Sequence, residues 1–240
     1  MSRVGVIAAL SSEANCFSEK STRLNQIIEI DQSLLIVSGM GATNSGSAAQ
    51  KLISAGASHL VSWGTAGALS SAAQPGDLLL PESILSDNGQ ALKVDHHWRQ
   101  QLLQQLPSKL KIHHAPLFQS NTVLTNQEQK SQLYLRTSAL SVDMESYAIA
   151  SAAAQKQLPF IVIRSIVDSY DTLIPTSAMR SIDKFGRTKL FSLILNLVKN
   201  PSDIPKLILL GDHFKQARHT LKLVTASAGI SLAQKSEYHL

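Results

Sequence analysis

The chain has 240 residues, 44% hydrophobic and 16% charged, which is enough apolar material for a sizeable core and gives no compositional case for disorder. The formal charge of +5 comes from scattered cations, densest from Lys206 through Arg218 to Lys222, and aromatics are only 5%, so no basic patch interleaved with aromatics points to nucleic acid. The one cysteine, Cys16, excludes an internal disulfide and lacks the partner spacing of a zinc site; no window approaches the roughly 18 apolar residues of a membrane span, and a cytoplasmic protein is expected.

Val4 to Leu10 is a continuous apolar run that reads as a buried strand, stopping at Ser11-Ser12-Glu13-Ala14, a helix start. Ser33 to Val37 is a second such run. It ends in Ser38-Gly39-Met40-Gly41, after which Ser45 to Ala55 has helical spacing and Gly56 as its stop. His59 to Trp63 repeats the theme, entering Gly64-Thr65-Ala66-Gly67-Ala68, which reads as a second glycine-rich turn after a strand. Pro75-Gly76-Asp77 is a turn leading to the short strand Leu78 to Leu80, and the stretch to Leu92 looks like a hairpin. Asp95 to Leu106 reads as a helix, Leu117 to Leu124 as a strand, Asn126 to Arg136 as a helix and Ala139 to Val142 as a strand. Val142-Asp143-Met144-Glu145-Ser146 then opens an alanine-rich helix, and Phe160 to Val167 is an apolar strand ending at Asp168. Ser177 to Lys199 and Ile208 to about Ala228 read as further helices. Strands alternating with helices, with one hairpin, predict an α/β fold on a mixed sheet.

In open α/β sheets ligands bind beyond the carboxyl ends of strands. Three acids, Glu13, Glu145 and Asp168, fall at such ends, and two glycine segments offer backbone amides beside the hydroxyls of Thr43, Ser62 and Thr65. Taken alone, Glu145 reads equally well as a helix cap and Asp168 as a turn cap. Neither glycine segment carries the dinucleotide fingerprint, and no lysine completes a phosphate-binding loop of the nucleotide-hydrolase kind. The paired histidines His96-His97 and His113-His114 lack metal-ligand spacing, so no metal is expected. A carboxylic acid that can protonate a leaving group, beside carboxylates that can bind a diol or activate water, is equipment for breaking a glycosidic bond, one of several hydrolytic possibilities these residues leave open.

The blocks Ser38-Gly39-Met40-Gly41, Gly64-Thr65-Ala66-Gly67, Pro75-Gly76-Asp77-Leu78, Val142 to Ser146 and Arg164-Ser165-Ile166-Val167-Asp168 resemble, in order, those of the nucleoside phosphorylase and nucleosidase superfamily. The features Val142 to Ser146, Leu158-Pro159-Phe160 and Ile174-Pro175 are most similar to the hopanoid-associated phosphorylase branch. The resemblance implies a three-layer sandwich, a mixed, mainly parallel sheet flanked by helices. The core domain would span residues 1–200, with a helical extension at 201–240. It implies a homodimer or higher homo-oligomer acting on a small-molecule nucleoside, with no cofactor beyond inorganic phosphate as co-substrate. By resemblance Asp168 gives a proton to the leaving purine, Glu145 holds the ribose hydroxyls and Met144 packs on the sugar. Thr65 and Gly41 belong to the same pocket, and Glu13 matches the glutamate that positions water in hydrolytic members.

One departure concerns the nucleophile. Ser62 stands where phosphorolytic members of the hexameric bacterial type have arginine, so phosphate recognition would rest on amides, Thr43 and Thr65. Phosphorolysis of an adenine nucleoside, with an adenosylated hopanoid as one candidate, leads the expectations. Hydrolysis of the methylthioadenosine/S-adenosylhomocysteine type and an inactive nucleoside-binding protein are the alternatives. The basic, leucine-containing tail, with Lys206, Lys215, Arg218 and Lys222, could rest on a membrane surface, although packing on its own domain is the favoured reading.

Overall fold

The computed structural model describes residues 2–20, 23–172 and 204–232. The helix expected over 177–199 lies outside them. Two strands with every residue buried, β1 (Val4–Ala8) and β3 (Ser33–Val37), run parallel beside each other. Their apolar residues do not alternate with polar ones because helices cover both sheet faces. Between them come α1 (Ser11–Phe17) and β2 (Ile27–Ile30), an antiparallel neighbour of β3. After α2 (Ala42–Ser54) the chain enters β4 (His59–Ala68), the strand on which the sheet is centred.

Strand β4 does not stop at Trp63. The glycine segment expected as a turn is strand through Ala68, and this extra length lets β4 carry different neighbours along one edge: β1 pairs with residues 59–63, and β10 (Ser141–Asp143) pairs antiparallel with Gly67 and Ala68. Along the other edge runs β11 (Phe160–Asp168), parallel from Leu60 onward. The short strands β5 (Leu78–Leu79) and β8 (Ile112–His113) extend the sheet beyond β11. Beyond β10 lie β9 (Leu117–Gln119), β6 (Ser83–Leu85) and β7 (Ala91–Lys93), with β6 and β7 forming the expected hairpin.

Side chains alternate across β4 and so divide the core between its faces. Leu60, Ala66 and Ala68 pack with Ala48, Ala49 and Leu52 of α2 and with Ala150 and Ala153 of α5 (Ser146–Gln155). Val61 and Trp63 pack on the opposite face with Phe17 of α1, with Trp98 and Leu102 of α3 (His96–Gln105), and with the C-terminal helix. The small residues of α2 and α5 let these helices lie close to each other and to the sheet. Helix α3 and the remaining one, α4 (Gln127–Thr137), are capped as their sequences suggest: Asp95 and Asn126 accept the backbone N–H of Trp98 at 2.8 Å and of Gln129 at 2.9 Å.

The helix expected as an extension is α6 (Ile204–Ala228), and its second half is part of the same core. Leu221 and Val224 are fully buried, and Thr220 Oγ1 donates to the Gly76 carbonyl at 2.6 Å. Those leucine-rich positions therefore face the domain, while Ile208 and Leu209 near the start are exposed. No described helix is long and apolar enough to cross a membrane. Leu221→Ala is expected to cost about 2–5 kcal/mol, measured as a lowered denaturation midpoint, because it opens a cavity between α6 and the sheet.

Candidate active site

A cavity of about 190 Å3 lies beyond the carboxyl ends of β1, β3, β10 and β11 and over the second half of β4. Glu13, Thr65, Met144, Glu145 and Asp168 line it, together with Met40, Gly67, Lys130, Asp143, Val167 and the loop Thr122-Val123-Leu124. The acids chosen from sequence come from three separate elements, and the sheet brings them to one place. Gly41, Thr43 and Ser62 do not line it.

Glu13 sits in the first turn of α1 and is 2% exposed. Its Oε2 accepts the Leu10 N–H at 3.0 Å, and its Oε1 accepts both the N–H and the hydroxyl of Thr65 at 2.8 Å. A carboxylate offers about four acceptor positions, so one remains for a ligand or water. The glycines of β4 make this approach possible. A Cβ on Gly64 would lie 2.7 Å from Glu13 Oε1 and would collide with Arg164 Nη1; one on Gly67 would lie 2.9 Å from Asp168 Oδ1. These glycines serve as clearance within a strand rather than as a turn.

The Val142–Ser146 block divides its acids by task. Asp143 caps α5, its Oδ1 accepting the N–H groups of Glu145 and Ser146 at 3.2 Å, and its Oδ2 pairs with Arg164 Nη2 at 2.7 Å. Glu145 makes no such cap. Its Oε1 reaches across to accept the Gly41 N–H at 2.8 Å, and its Oε2 lies 3.7 Å from Arg164 Nη2. Gly41 thus spends its amide on a protein carboxylate, in a backbone conformation (φ 91°) that suits glycine.

Burial, followed by the neighbouring Asp143 charge, pushes the Glu145 carboxyl up to about 7, against the pull of Arg164 and the Gly41 N–H. The folded chain therefore binds a proton at Glu145 that the unfolded chain has released between the ordinary value of 4.5 and about 7. Stability from this group is full below that window, falls as pH rises through it and is level above. Glu145→Gln is expected to flatten this part of a stability-against-pH curve measured by urea denaturation.

Two hydroxyls expected near a nucleophile lie elsewhere. Ser62 is fully buried beneath the cavity, where its Oγ accepts from Arg164 Nη2 at 2.8 Å and shares a hydrogen bond with Ser146 Oγ at 2.9 Å. Thr43 is exposed on the first turn of α2. Arg164 of the neighbouring strand, opposite Gly64 in the register, is buried against Ser62. Its charge is taken up by Asp143.

Asp168 ends β11 at an irregularity in the pairing with β4, opposite Gly67. Its Oδ2 accepts a 2.5 Å bond from Lys130 Nζ, which also donates to the Ser169 carbonyl at 2.7 Å. Lys130 is fully buried on α4. Sequence reasoning missed it, because Gln-Glu-Gln-Lys-Ser-Gln has the composition of a solvated helix face and its partner is 38 residues away.

The family model described as the phosphorylase superfamily matches residues 3–190. A 5′-methylthioadenosine/S-adenosylhomocysteine nucleosidase from Buchnera aphidicola is 25% identical over 91% of this chain and 94% of its own length. One from Staphylococcus aureus is 23% identical over 69% of this chain and 86% of its own. Among solved structures, the Neisseria meningitidis nucleosidase of the same name, in complex with methylthio-immucillin-A, superposes with a TM-score of 0.71 at 16% identity, covering 96% of this chain and all (100%) of the other. Futalosine hydrolase of Helicobacter pylori follows at 0.66 and 14%, covering 94% and 97%. These likenesses support the three-layer fold with its mixed, mostly parallel sheet.

Proposed function

The chain belongs to the phosphorylase superfamily, and from that premise we propose that it is a hydrolytic nucleosidase cleaving the N-glycosidic bond of an adenine nucleoside. The observation that carries the choice of water over phosphate is the Glu13 carboxylate, buried in the cavity wall and already holding the Thr65 amide and hydroxyl. A phosphate dianion would meet the Glu13 carboxylate, while among the described residues Lys130 is held by Asp168 and the Ser169 carbonyl and Arg164 by Asp143. Like charges at such separations, in a partly desolvated site, repel by several kcal/mol. Water meets no such penalty. The nucleosidase names of the curated relatives support the same choice, and they direct attention to adenosines with a 5′-thio substituent.

In this reading the carboxyl of Asp168 gives its proton to N7 of the purine as the C1′–N9 bond breaks, the bond electrons leaving with a neutral base. Glu145 accepts hydrogen bonds from the ribose hydroxyls and, with Met144 packed on the sugar, stabilises the developing cation. A water on the remaining acceptor position of Glu13 adds to C1′ and passes its proton to that carboxylate. The sum is nucleoside plus water to adenine plus free sugar. Asp143 is occupied by its hold on Arg164 and on the start of α5.

Adenine release from 5′-methylthioadenosine and adenosine is expected to proceed at equal rates with and without phosphate and to yield no sugar 1-phosphate. Dependence on phosphate would return the reaction to phosphorolysis. The narrower expectation, an adenosylated hopanoid, rests on residues 142–146, 158–160 and 174–175, of which the last lie outside the described chain; a lipid-substituted adenosine in the same panel tests it.

A further inference from the structure

We propose that Lys130 is a positioning residue for the acid, holding Asp168 Oδ2 so that the proton for the leaving base sits on Oδ1. This rests on the nucleosidase reading above. Three observations carry it. First, Lys130 is a fully buried cation, an arrangement that is costly unless the charge is paired and hydrogen-bonded. Second, its ammonium is fixed by two acceptors from the end of β11, Asp168 Oδ2 at 2.5 Å and the Ser169 carbonyl at 2.7 Å, so its direction is set by α4 and β11 together. Third, among the described residues Asp168 Oδ1 has no hydrogen bond while Oδ2 is taken by Lys130, and the carboxyl group as a whole lies over Gly67, a residue of the cavity wall.

The chemistry follows from which oxygen is occupied. An ammonium has donors only, so Oδ2 facing it is held as an acceptor and a proton on the carboxyl resides on Oδ1. When that proton moves to the base, the negative charge left on Asp168 forms directly against Lys130. The ion pair is therefore strongest after proton transfer, which makes the interaction larger in the transition state than before it. Lys130 never touches the nucleoside in this arrangement. Its effect is confined to leaving groups that need a proton.

The test compares wild type with Lys130→Met and Lys130→Arg on 5′-methylthioadenosine and on p-nitrophenyl riboside, whose nitrophenolate departs without protonation. Lys130→Met is expected to lower kcat for the adenine nucleoside by roughly 10- to 100-fold, part of what a positioned acid contributes. KM should stay within about threefold, and the nitrophenyl riboside rate should be retained. Lys130→Arg, which restores a cation and a donor, should recover most of the loss. Thermal unfolding is recorded for each variant, and if the Met protein does not fold, Lys130→Gln takes its place. Equal losses on both substrates, or unchanged kcat on the adenine nucleoside, would overturn the proposal. Should wild type not accept the nitrophenyl riboside, the kcat and KM split and the arginine rescue decide in the same sense. A wild-type protein that releases no base from any nucleoside overturns the nucleosidase reading, and this inference with it.

Discussion

Asp168→Asn is expected to lower turnover on an adenine nucleoside by about 100- to 10,000-fold while leaving affinity for a non-cleavable analogue within a fewfold of wild type. The amide keeps the size of the carboxyl and an oxygen to accept from Lys130, but has no proton to give at N7. It also removes the negative partner of a buried ammonium, and breaking such a pair costs about 3–5 kcal/mol of stability. The two effects separate in the double variant. Asp168→Asn with Lys130→Met should regain much of the lost stability, since no unpaired charge remains, and none of the lost turnover. A single variant that keeps near-native kcat would remove Asp168 from the role of acid. A double variant as unstable as the single would mean that the pair contributes little to folding.

The parts of this site legible in the sequence were those that depend on where strands end. Glu13, Glu145 and Asp168 each follow an apolar run, and a parallel sheet aligns such ends, so their meeting in one cavity needed only the fold class. The resemblance divided their tasks. What stayed hidden depends on pairing between distant segments. The Gly64–Gly67 stretch reads as a turn because glycine weakens strands, yet β4 continues through it, since β11 pairs along its length and the missing side chains clear room for Glu13, Arg164 and Asp168. Ser62 looked like a substituted phosphate ligand, but strand alternation turns it beneath the cavity, toward Ser146 and Arg164. Lys130 carried no signal at all, because the burial of a lysine is decided by its partner rather than by its neighbours in sequence.

In the proposed hydrolysis the nucleophile depends on Glu13, and Glu13→Gln is expected to abolish most activity, again by about 100- to 10,000-fold, with added phosphate unable to restore it. The glutamine oxygen can still accept from Thr65, but its NH2 then faces the Leu10 N–H, donor against donor, where the carboxylate Oε2 accepted at 3.0 Å. A buried donor left in that state costs about 1–3 kcal/mol, small beside a catalytic loss of this size. The phosphate arm separates two roles that share one geometry. As a base, Glu13 takes the proton from water, and its loss slows release in every buffer. As a mere electrostatic barrier, it would only keep phosphate out, and neutralising it would admit that anion to the cavity. Glu13→Gln protein that became faster with phosphate and formed a sugar 1-phosphate would show the second role. Uniform loss, with analogue binding retained, is the outcome that the carboxylate's three accepted bonds and one remaining position lead us to expect.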